Sequence, residues 1–148
     1  MQNTTPEKII VGSDHGGFAL KKLIISKLSE IGIETEDAGA FTASSPSDYP
    51  DYGLRVAEKV ASGEFDRGIA ICTTGIGMSI SVNRVKGIRG TLCLNEDMAL
   101  FSRKHNNSNV LVLASKYTSE KEAAGILRKW LSTEFDGGRH INRIKKLN

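Results

Sequence analysis

The chain of 148 residues has only two cysteines, Cys72 and Cys93, and its apolar runs fall short of the ~18 residues that cross a membrane. Two cysteines do not make a disulfide framework, so we interpret both as reduced thiols. Residues 1–8 lack the apolar segment of a signal peptide. These absences predict a cytoplasmic protein that does not associate with membranes.

Aromatic residues are scarce, at 6%, and the formal net charge is only +3. This weak charge suits an anionic small molecule as well as it suits nucleic acid, and it decides for neither. The basic residues are few and are not interleaved with aromatic ones, which disfavours a nucleic-acid-binding module. The length allows one domain with a hydrophobic core, and no repeat or linker divides it. We therefore expect a single domain over residues 1–148.

Short apolar runs alternate with segments of helical periodicity. The expected strands cover residues 9–11, 33–37, 68–71, 91–94 and 110–114, and residues 38–50 are expected to form a loop. Helices are expected over residues 20–31, 51–62, 95–105, 119–132 and 139–147, with another directly after the glycine turn at 75–77. Gly32 is a typical helix stop, Asn95 a typical amino-terminal cap, and Ser119 with Glu122 a capping box.

The strands are continuous apolar runs rather than alternating ones, which is typical of strands that are buried on both faces. The pattern predicts a three-layer α/β/α sandwich with a five-stranded parallel, Rossmann-like sheet. Ligands of such folds bind beyond the carboxyl ends of the strands. That rule selects four segments, namely 14–15, the turn that begins at Cys72, 95–96 and 115–116.

The turn at residues 72–79 joins an apolar strand to an expected helix. A glycine-bearing turn in this position directs backbone N–H groups at an anion, and the helix dipole favours a thiolate on the nearby Cys72. The turn therefore predicts a base or nucleophile beside an oxyanion cradle. Cysteines at strand ends are often inert packing residues, and Cys93, inside an apolar strand, fits that interpretation better.

Three other functions of this turn lack a required residue. A dinucleotide fingerprint needs a third glycine where Ile80 stands, and it would follow the first strand rather than the third. A cysteine phosphatase needs an arginine where Met78 stands. A redox Cys-x-x-Cys motif fails at Gly75. The thiol is therefore better suited to moving a proton.

The histidines and arginines allow a structural and a functional interpretation. His105 and the asparagines after it could simply end a helix, and Arg139 and Arg143 could lie on a solvated basic face. If 139–143 is helical, however, the two guanidinium groups could converge on one phosphate. The histidines show no metal-ligand spacing, so we expect no metal.

Four motifs occur in a fixed order: Ser13-Asp14-His15-x-Gly17, Cys72-x-Thr74-Gly75-x-Gly77-x-Ser79, His105-Asn106-Asn107-x-Asn109-Val110-Leu111 and Gly137-Gly138-Arg139-His140-x-x-Arg143. Over residues 8–143 the chain resembles the B-type ribose-5-phosphate isomerases and the related galactose-6-phosphate isomerase subunits. His105 favours the ribose enzymes. The resemblance implies interconversion of D-ribose 5-phosphate and D-ribulose 5-phosphate, in the non-oxidative pentose phosphate pathway, without metal or cofactor.

The resemblance also implies roles for individual residues. Cys72 would move a proton between C2 and C1 through a cis-enediolate, Thr74 would assist with its hydroxyl, and His105 would open the furanose ring. The amides of Thr73, Gly75, Ile76 and Gly77 would form the oxyanion cradle. Asp14 and Asn106 would contact sugar hydroxyls. The phosphate would be held by His15, Lys116, Arg139 and Arg143. The family forms homodimers with a shared active site, sometimes paired into tetramers.

Two positions depart from the family pattern. Thr73 stands where the family usually has glycine, so its place in the cradle requires a backbone conformation with negative φ. Lys116 stands where arginine is common, and lysine lacks the bidentate fork of a guanidinium. Two alternatives remain open from the residues: an isomerase of a six-carbon phosphosugar, such as allose 6-phosphate or galactose 6-phosphate, and a phosphosugar-binding protein without activity.

Overall fold

The computed structural model describes residues 5–147. The expectations for residues 1–4 and for residue 148 lie outside the described residues. Five strands form one parallel sheet in the order β2-β1-β3-β5-β4. The strands are β1 (Lys8–Ser13), β2 (Glu34–Asp37), β3 (Arg67–Cys72), β4 (Gly90–Leu92) and β5 (Val110–Ala114).

Helices connect the strands and follow the last one. They are α1 (Phe18–Glu30), α2 (Tyr49–Ala61), α3 (Ile76–Val82), α4 (Glu96–Lys104), α5 (Glu120–Ser132) and α6 (Arg139–Lys145), and a 3-10 turn at His15–Gly17 precedes α1. Within residues 5–147, every helix is too short or too polar to span a membrane.

The helices cover both faces of the sheet and form two apolar cores. Alternation along β1 shows this directly, because Ile9 and Val11 face one core and Ile10 faces the other. The first core contains side chains of α1, α4 and α5, among them the fully buried Trp130. The second contains side chains of α2 and α3. The three-layer α/β/α sandwich with a five-stranded parallel sheet is confirmed.

The helix ends follow the signals in the sequence. Asn95 Oδ1 accepts the Met98 N–H at 2.8 Å, and Ser119 and Glu122 form the expected capping box. Gly32 ends α1 with a φ of +79°, in the left-handed region that glycine adopts without strain.

Several boundaries differ from expectation by one to three residues, and two of the differences have a local cause. Helix α2 begins at Tyr49, inside the expected loop, because a proline in the first helical turn does not need its missing N–H. Strand β4 covers 90–92 rather than 91–94, because the chain turns there to enter the cap of α4, although Cys93 N–H still reaches Val112 O at 3.2 Å.

The topology places a crevice between β1 and β3. The chain leaves β1 toward β2 on one side, whereas it leaves β3 toward β4 on the other side. Connections from adjacent strands thus diverge at their carboxyl ends, which is where open α/β sheets bind ligands. Asp14, Cys72 and the residues beside them line this position.

Candidate active site

The turn after β3 closes on the sulfur of Cys72. Gly75 reverses the chain with a φ of +74°, and its N–H donates to Cys72 Sγ at 3.1 Å. The positive φ is what requires glycine here, because the nearest atom to an added Cβ, Leu92 Cδ1 at 2.5 Å, is the end of a side chain that can move aside. An N–H donor stabilises negative charge on sulfur, which a thiol needs when it acts as a base.

Thr73 fits the turn without backbone strain. Its φ is not positive; Asn107 is the only non-glycine residue with positive φ in the described part of the chain. Thr73 therefore meets the requirement for negative φ that its place in the oxyanion cradle sets. Its side chain lies against Gly16, where an added Cβ would overlap Thr73 Oγ1. The next residue, Thr74, accepts the Ile76 N–H on its hydroxyl oxygen at 3.3 Å.

The end of β1 lies next to this turn. Asp14 N–H donates to Ile71 O at 3.3 Å, and its buried carboxylate accepts the Gly17 N–H at 3.0 Å. His15 follows, with an exposed imidazole that contacts Ser47. The Asp14–His15 pair is thus anchored to β3, with the Asp14 carboxylate buried and the His15 ring exposed.

The segment after β5 completes the same group. Lys116 N–H donates to Thr73 O at 2.8 Å, and Ser115 Oγ donates to Gly16 O at 3.0 Å. The exposed ammonium of Lys116 lies 5.8 Å from the ring centroid of Tyr117. The structure therefore brings Asp14, His15, the Cys72 turn and Lys116 together at the carboxyl end of the sheet. We call this whole cluster of residues, and not the sulfhydryl of Cys72 alone, the thiol group.

His105 and α6 form a second group. The His105 ring stacks on that of His140 with centroids 4.4 Å apart and also contacts Phe101. Burial lowers the pKa of His140, the charges of His105, Arg139 and Arg143 lower it further, and Asp136 opposes them. Arg139 and Arg143 are exposed, as is Asn106 beside His105. We call His105, Asn106 and the two arginines the histidine group.

The stacked histidines were not foreseen as neighbours, because they come from α4 and α6 and share no sequence spacing. Together with Asp136 they offer three ligand atoms within 4.8 Å of one another. Two guanidinium groups act on the same histidine, and their charge works against a bound cation. The expected absence of metal stays a prediction.

The two groups lie at opposite ends of the sheet. Cys72 pairs with Ala114, the last residue of β5, whereas His105 precedes the first residue, Val110. The four-residue separation along β5 corresponds to a rise of about 13 Å. Contacts such as Asp136 N–H to Lys104 O keep α6 at the amino end. One chain therefore does not bring Cys72 and His105 together.

Ser47, in the segment between β2 and α2, and Tyr49, the first residue of α2, approach the thiol group and were not foreseen. Ser47 contacts His15, and the Tyr49 ring lies over Gly77, where an added Cβ would come within 2.6 Å of Tyr49 Cζ. This segment has no periodicity and no chemical motif in the sequence. Its length is the one signal of a functional loop that the sequence offers.

Comparisons with known proteins agree over almost the whole chain. A family model described as ribose/galactose isomerase matches residues 9–147. The ribose-5-phosphate isomerase B of Escherichia coli is 43% identical over 95% of this chain and 94% of its own length. The solved ribose-5-phosphate isomerase B of Clostridium thermocellum is 48% identical, with a TM-score of 0.93 over 95% of this chain and 94% of that one.

A third match is the ribose-5-phosphate isomerase B of Mycoplasma genitalium, solved with bound ribulose-5-phosphate. It is 38% identical, with a TM-score of 0.91 over 95% of this chain and 93% of that one. The likeness therefore includes the segments that carry both groups of candidate residues.

Proposed function

The chain belongs to the ribose/galactose isomerase family, and from this we propose that it interconverts D-ribose 5-phosphate and D-ribulose 5-phosphate. The observation that carries the proposal is the likeness, over 95% of the chain, to a relative solved with bound ribulose-5-phosphate. Relatives named ribose-5-phosphate isomerase B also favour the five-carbon substrate over the six-carbon alternatives. The enzyme is an aldose–ketose isomerase.

In the proposed mechanism, the Cys72 thiolate removes the proton from C2 of the open-chain aldose and delivers it to C1. The cis-enediolate between these steps carries negative charge on oxygen, which the N–H groups of residues 73–77 stabilise with help from the Thr74 hydroxyl. The Gly75 N–H directed at Sγ supports the assignment of Cys72 as the base. The reaction moves protons only, so it needs no redox cofactor.

The remaining residues are proposed to bind the substrate. Asp14 and Asn106 hold sugar hydroxyls, whereas His15, Lys116, Arg139 and Arg143 hold the phosphate. His105 acts as a general acid and base in opening the ring. The exposure of both arginines supports their role, because a phosphate can reach them without a change in the fold.

We propose a homodimer in which the histidine group of one subunit completes the thiol group of the other. The separation of the two groups supports this, since a five-carbon substrate cannot span it. Exposed apolar side chains lie beside each group: Ile76 and Ile80, at 58% and 61% exposure, follow the Cys72 turn, and Phe101 contacts His105. Their burial between subunits would stabilise the dimer.

A cytoplasmic location is part of the proposal. Both cysteines are free thiols in the structure, and a base that works as a thiolate requires a reducing environment.

The proposal is tested by incubating the purified protein with ribose 5-phosphate in deuterium oxide and measuring ribulose 5-phosphate and deuterium incorporation, with and without a chelator. We expect turnover that the chelator does not change. Cys72→Ala should lower kcat by ~10³-fold or more, because it removes the base, whereas Cys93→Ala, in the apolar core, should keep it. Binding without exchange would indicate a non-catalytic sugar-phosphate protein, and a higher kcat/KM on allose 6-phosphate would indicate a six-carbon substrate.

A further inference from the structure

Ser47 and His15 hold each other through reciprocal hydrogen bonds, although they are 32 residues apart in the sequence. The His15 N–H donates to Ser47 Oγ at 2.9 Å, and the Ser47 N–H donates to His15 Nδ1 at 3.1 Å. Nδ1 also lies 3.3 Å from Ser47 Oγ. Backbone and side chain of both residues therefore take part in one contact.

The contact determines which ring nitrogen of His15 carries the proton. A backbone N–H can only donate, so Nδ1 must be the acceptor, and the proton of the neutral ring must reside on Nε2. We propose that Ser47 is a positioning residue that holds His15 in its Nε2–H tautomer, so that the free ring nitrogen donates a hydrogen bond to the sugar phosphate.

The chemistry of the substrate explains why the tautomer matters, and here the inference rests on the proposed function. Phosphate oxygens of the substrate accept hydrogen bonds and offer no N–H or O–H donor when ionised. The opposite tautomer would present the Nε2 lone pair to these oxygens and repel them. A ring free to exchange its tautomers would also lose part of its binding energy to the less favourable form.

The segment that carries Ser47 is fixed at both ends. At its start, Ser13 N–H donates to Gly39 O at 2.7 Å, and Ala40 O accepts from the fully buried ammonium of Lys21. At its end, α2 begins with Tyr49, whose ring packs over Gly77. Ser47 is thus held between two anchors, and its N–H can serve as a fixed reference for the imidazole.

The tautomer is measured directly by long-range ¹H–¹⁵N NMR of the full-length, uniformly labelled protein at a pH where imidazole is neutral, with His15 assigned by its loss in His15→Gln. We expect the Nε2–H pattern in the wild type. Ser47→Pro removes the donor and should give a mixture of tautomers, and circular dichroism checks that it folds. An Nδ1–H pattern in the wild type would overturn the proposal, even if the proline variant does not fold.

Kinetics provide the second readout. Ser47→Ala loses the acceptor that orients His15, so KM for ribose 5-phosphate should rise about tenfold with kcat within twofold, whereas Ser47→Thr should remain close to the wild type. Thr42→Ala is the matched control, because Thr42 lies in the same segment and its hydroxyl contacts Ser44. An unchanged KM in Ser47→Ala contradicts a positioning role of the Ser47 hydroxyl, whereas an unchanged tautomer in a folded Ser47→Pro contradicts that of its N–H. Absence of turnover in the wild type refutes the proposed function instead, and the NMR result then still decides the tautomer.

Discussion

Gly16 has no side chain, and the Thr73 side chain occupies the space beside it. The end of β1 and the Cys72 turn are therefore in contact at this point. An added Cβ at position 16 would meet mainly Thr73 Oγ1, the end of a side chain that can rotate away. The neighbouring Gly17 differs, since a Cβ there would lie 2.8 Å from Ile71 O, which belongs to β3 and cannot move aside. Two adjacent glycines are therefore needed for different reasons.

This difference predicts the outcome of a double-mutant cycle. Gly16→Ala should destabilise the protein by about 1 kcal/mol through overpacking, and Thr73→Gly should relieve most of that cost. Gly17→Ala should cost about 2 kcal/mol, and Thr73→Gly should not relieve it. Urea denaturation of the single and double variants measures both couplings. Additive effects of Gly16→Ala and Thr73→Gly would show that the two side chains do not compete for this space.

At the residue scale, local contacts were predictable from the sequence where neighbours in the chain make them. Cys72 and Cys93 are an example, because the glycine turn after Cys72 brings the Gly75 N–H to its sulfur, whereas Cys93 lies in the apolar core as expected. The Ser47–His15 contact and the stacking of His105 on His140 were not predictable. Each contact joins segments that are distant in sequence, and a local sequence pattern does not predict such a tertiary contact.

At the scale of elements, α1 shows how packing departs from periodicity. Leu20, Ile24 and Leu28 are buried as helical spacing predicts, but Ile31, which continues the same stripe, is 60% exposed because it lies past the end of α1. Lys21 is fully buried instead. Its ammonium donates to Asp37 Oδ1 at 2.7 Å and to Ala40 O, so α1 anchors the segment after β2.

The Lys21 contact predicts an asymmetry between two substitutions. Asp37→Asn leaves a buried ammonium without its counter-charge and should destabilise the protein by about 3 kcal/mol, whereas Lys21→Met retains the volume without the charge and should cost less. Guanidinium denaturation measures both. Glu34→Gln is the control, since its pair with Lys8 is exposed and 4.0 Å long. A larger loss for Lys21→Met would show that the ammonium contributes net stability.

The carboxyl end of α5 is held by two buried arginines. Arg67 Nη1 donates to Trp130 O at 3.3 Å, and Arg103 Nε donates to Thr133 O at 3.2 Å. Burial lowers the pKa of each guanidinium to about 10, so both remain charged at neutral pH. The negative end of the helix dipole compensates these charges, and both arginines lie at the amino end of the sheet, beside the histidine group.

Helix α6 is expected to make stability depend on pH through His140. Its pKa is lowered from 6.5 in the folded state, by burial and by the charges of His105, Arg139 and Arg143, with Asp136 opposing. Well above about pH 6.5, His140 is neutral in both the folded and the unfolded state, and its contribution to the free energy of unfolding does not change with pH. As the pH falls below that value the unfolded chain takes up the proton first, so stability decreases until the folded pKa is passed.

The measurement is the free energy of unfolding at about pH 7.5 and about pH 5.5. The loss between these conditions should be smaller in His140→Gln than in the wild type. Arg139→Gln, which removes one of the charges that lower the pKa, should give an intermediate loss. Equal losses in all three proteins would exclude His140 as the source of the pH dependence.

At the scale of the whole molecule, the number and type of elements were predictable but the strand order was not. Each strand and helix carries its own pattern of apolar residues and caps, which local sequence records. The order β2-β1-β3-β5-β4 depends on the chain passing from β3 through α3 to β4 at the edge and returning to β5, and this choice is made by tertiary packing. The separation of the thiol and histidine groups follows instead from the strand direction, because Cys72 ends β3 whereas His105 precedes the start of β5.

A dimer with shared sites makes a prediction that a monomeric enzyme does not. Cys72→Ala removes the proposed base from the thiol group, and His105→Asn combined with Arg139→Ala disables the histidine group. Each variant alone should have little activity. In a mixed dimer, one site combines both defects, while the other combines the intact thiol group of one subunit with the intact histidine group of its partner.

Mixing equal amounts under conditions that let subunits exchange should therefore restore about a quarter of the wild-type activity, since about half of the dimers are mixed and each has one intact site. Activity is measured on ribose 5-phosphate before and after exchange. The control mixes Cys72→Ala with a tagged copy of the same variant, which exchanges subunits without restoring a site. Subunit exchange without recovered activity would contradict the shared site, because it would show that the thiol and histidine groups of one working site do not come from different subunits.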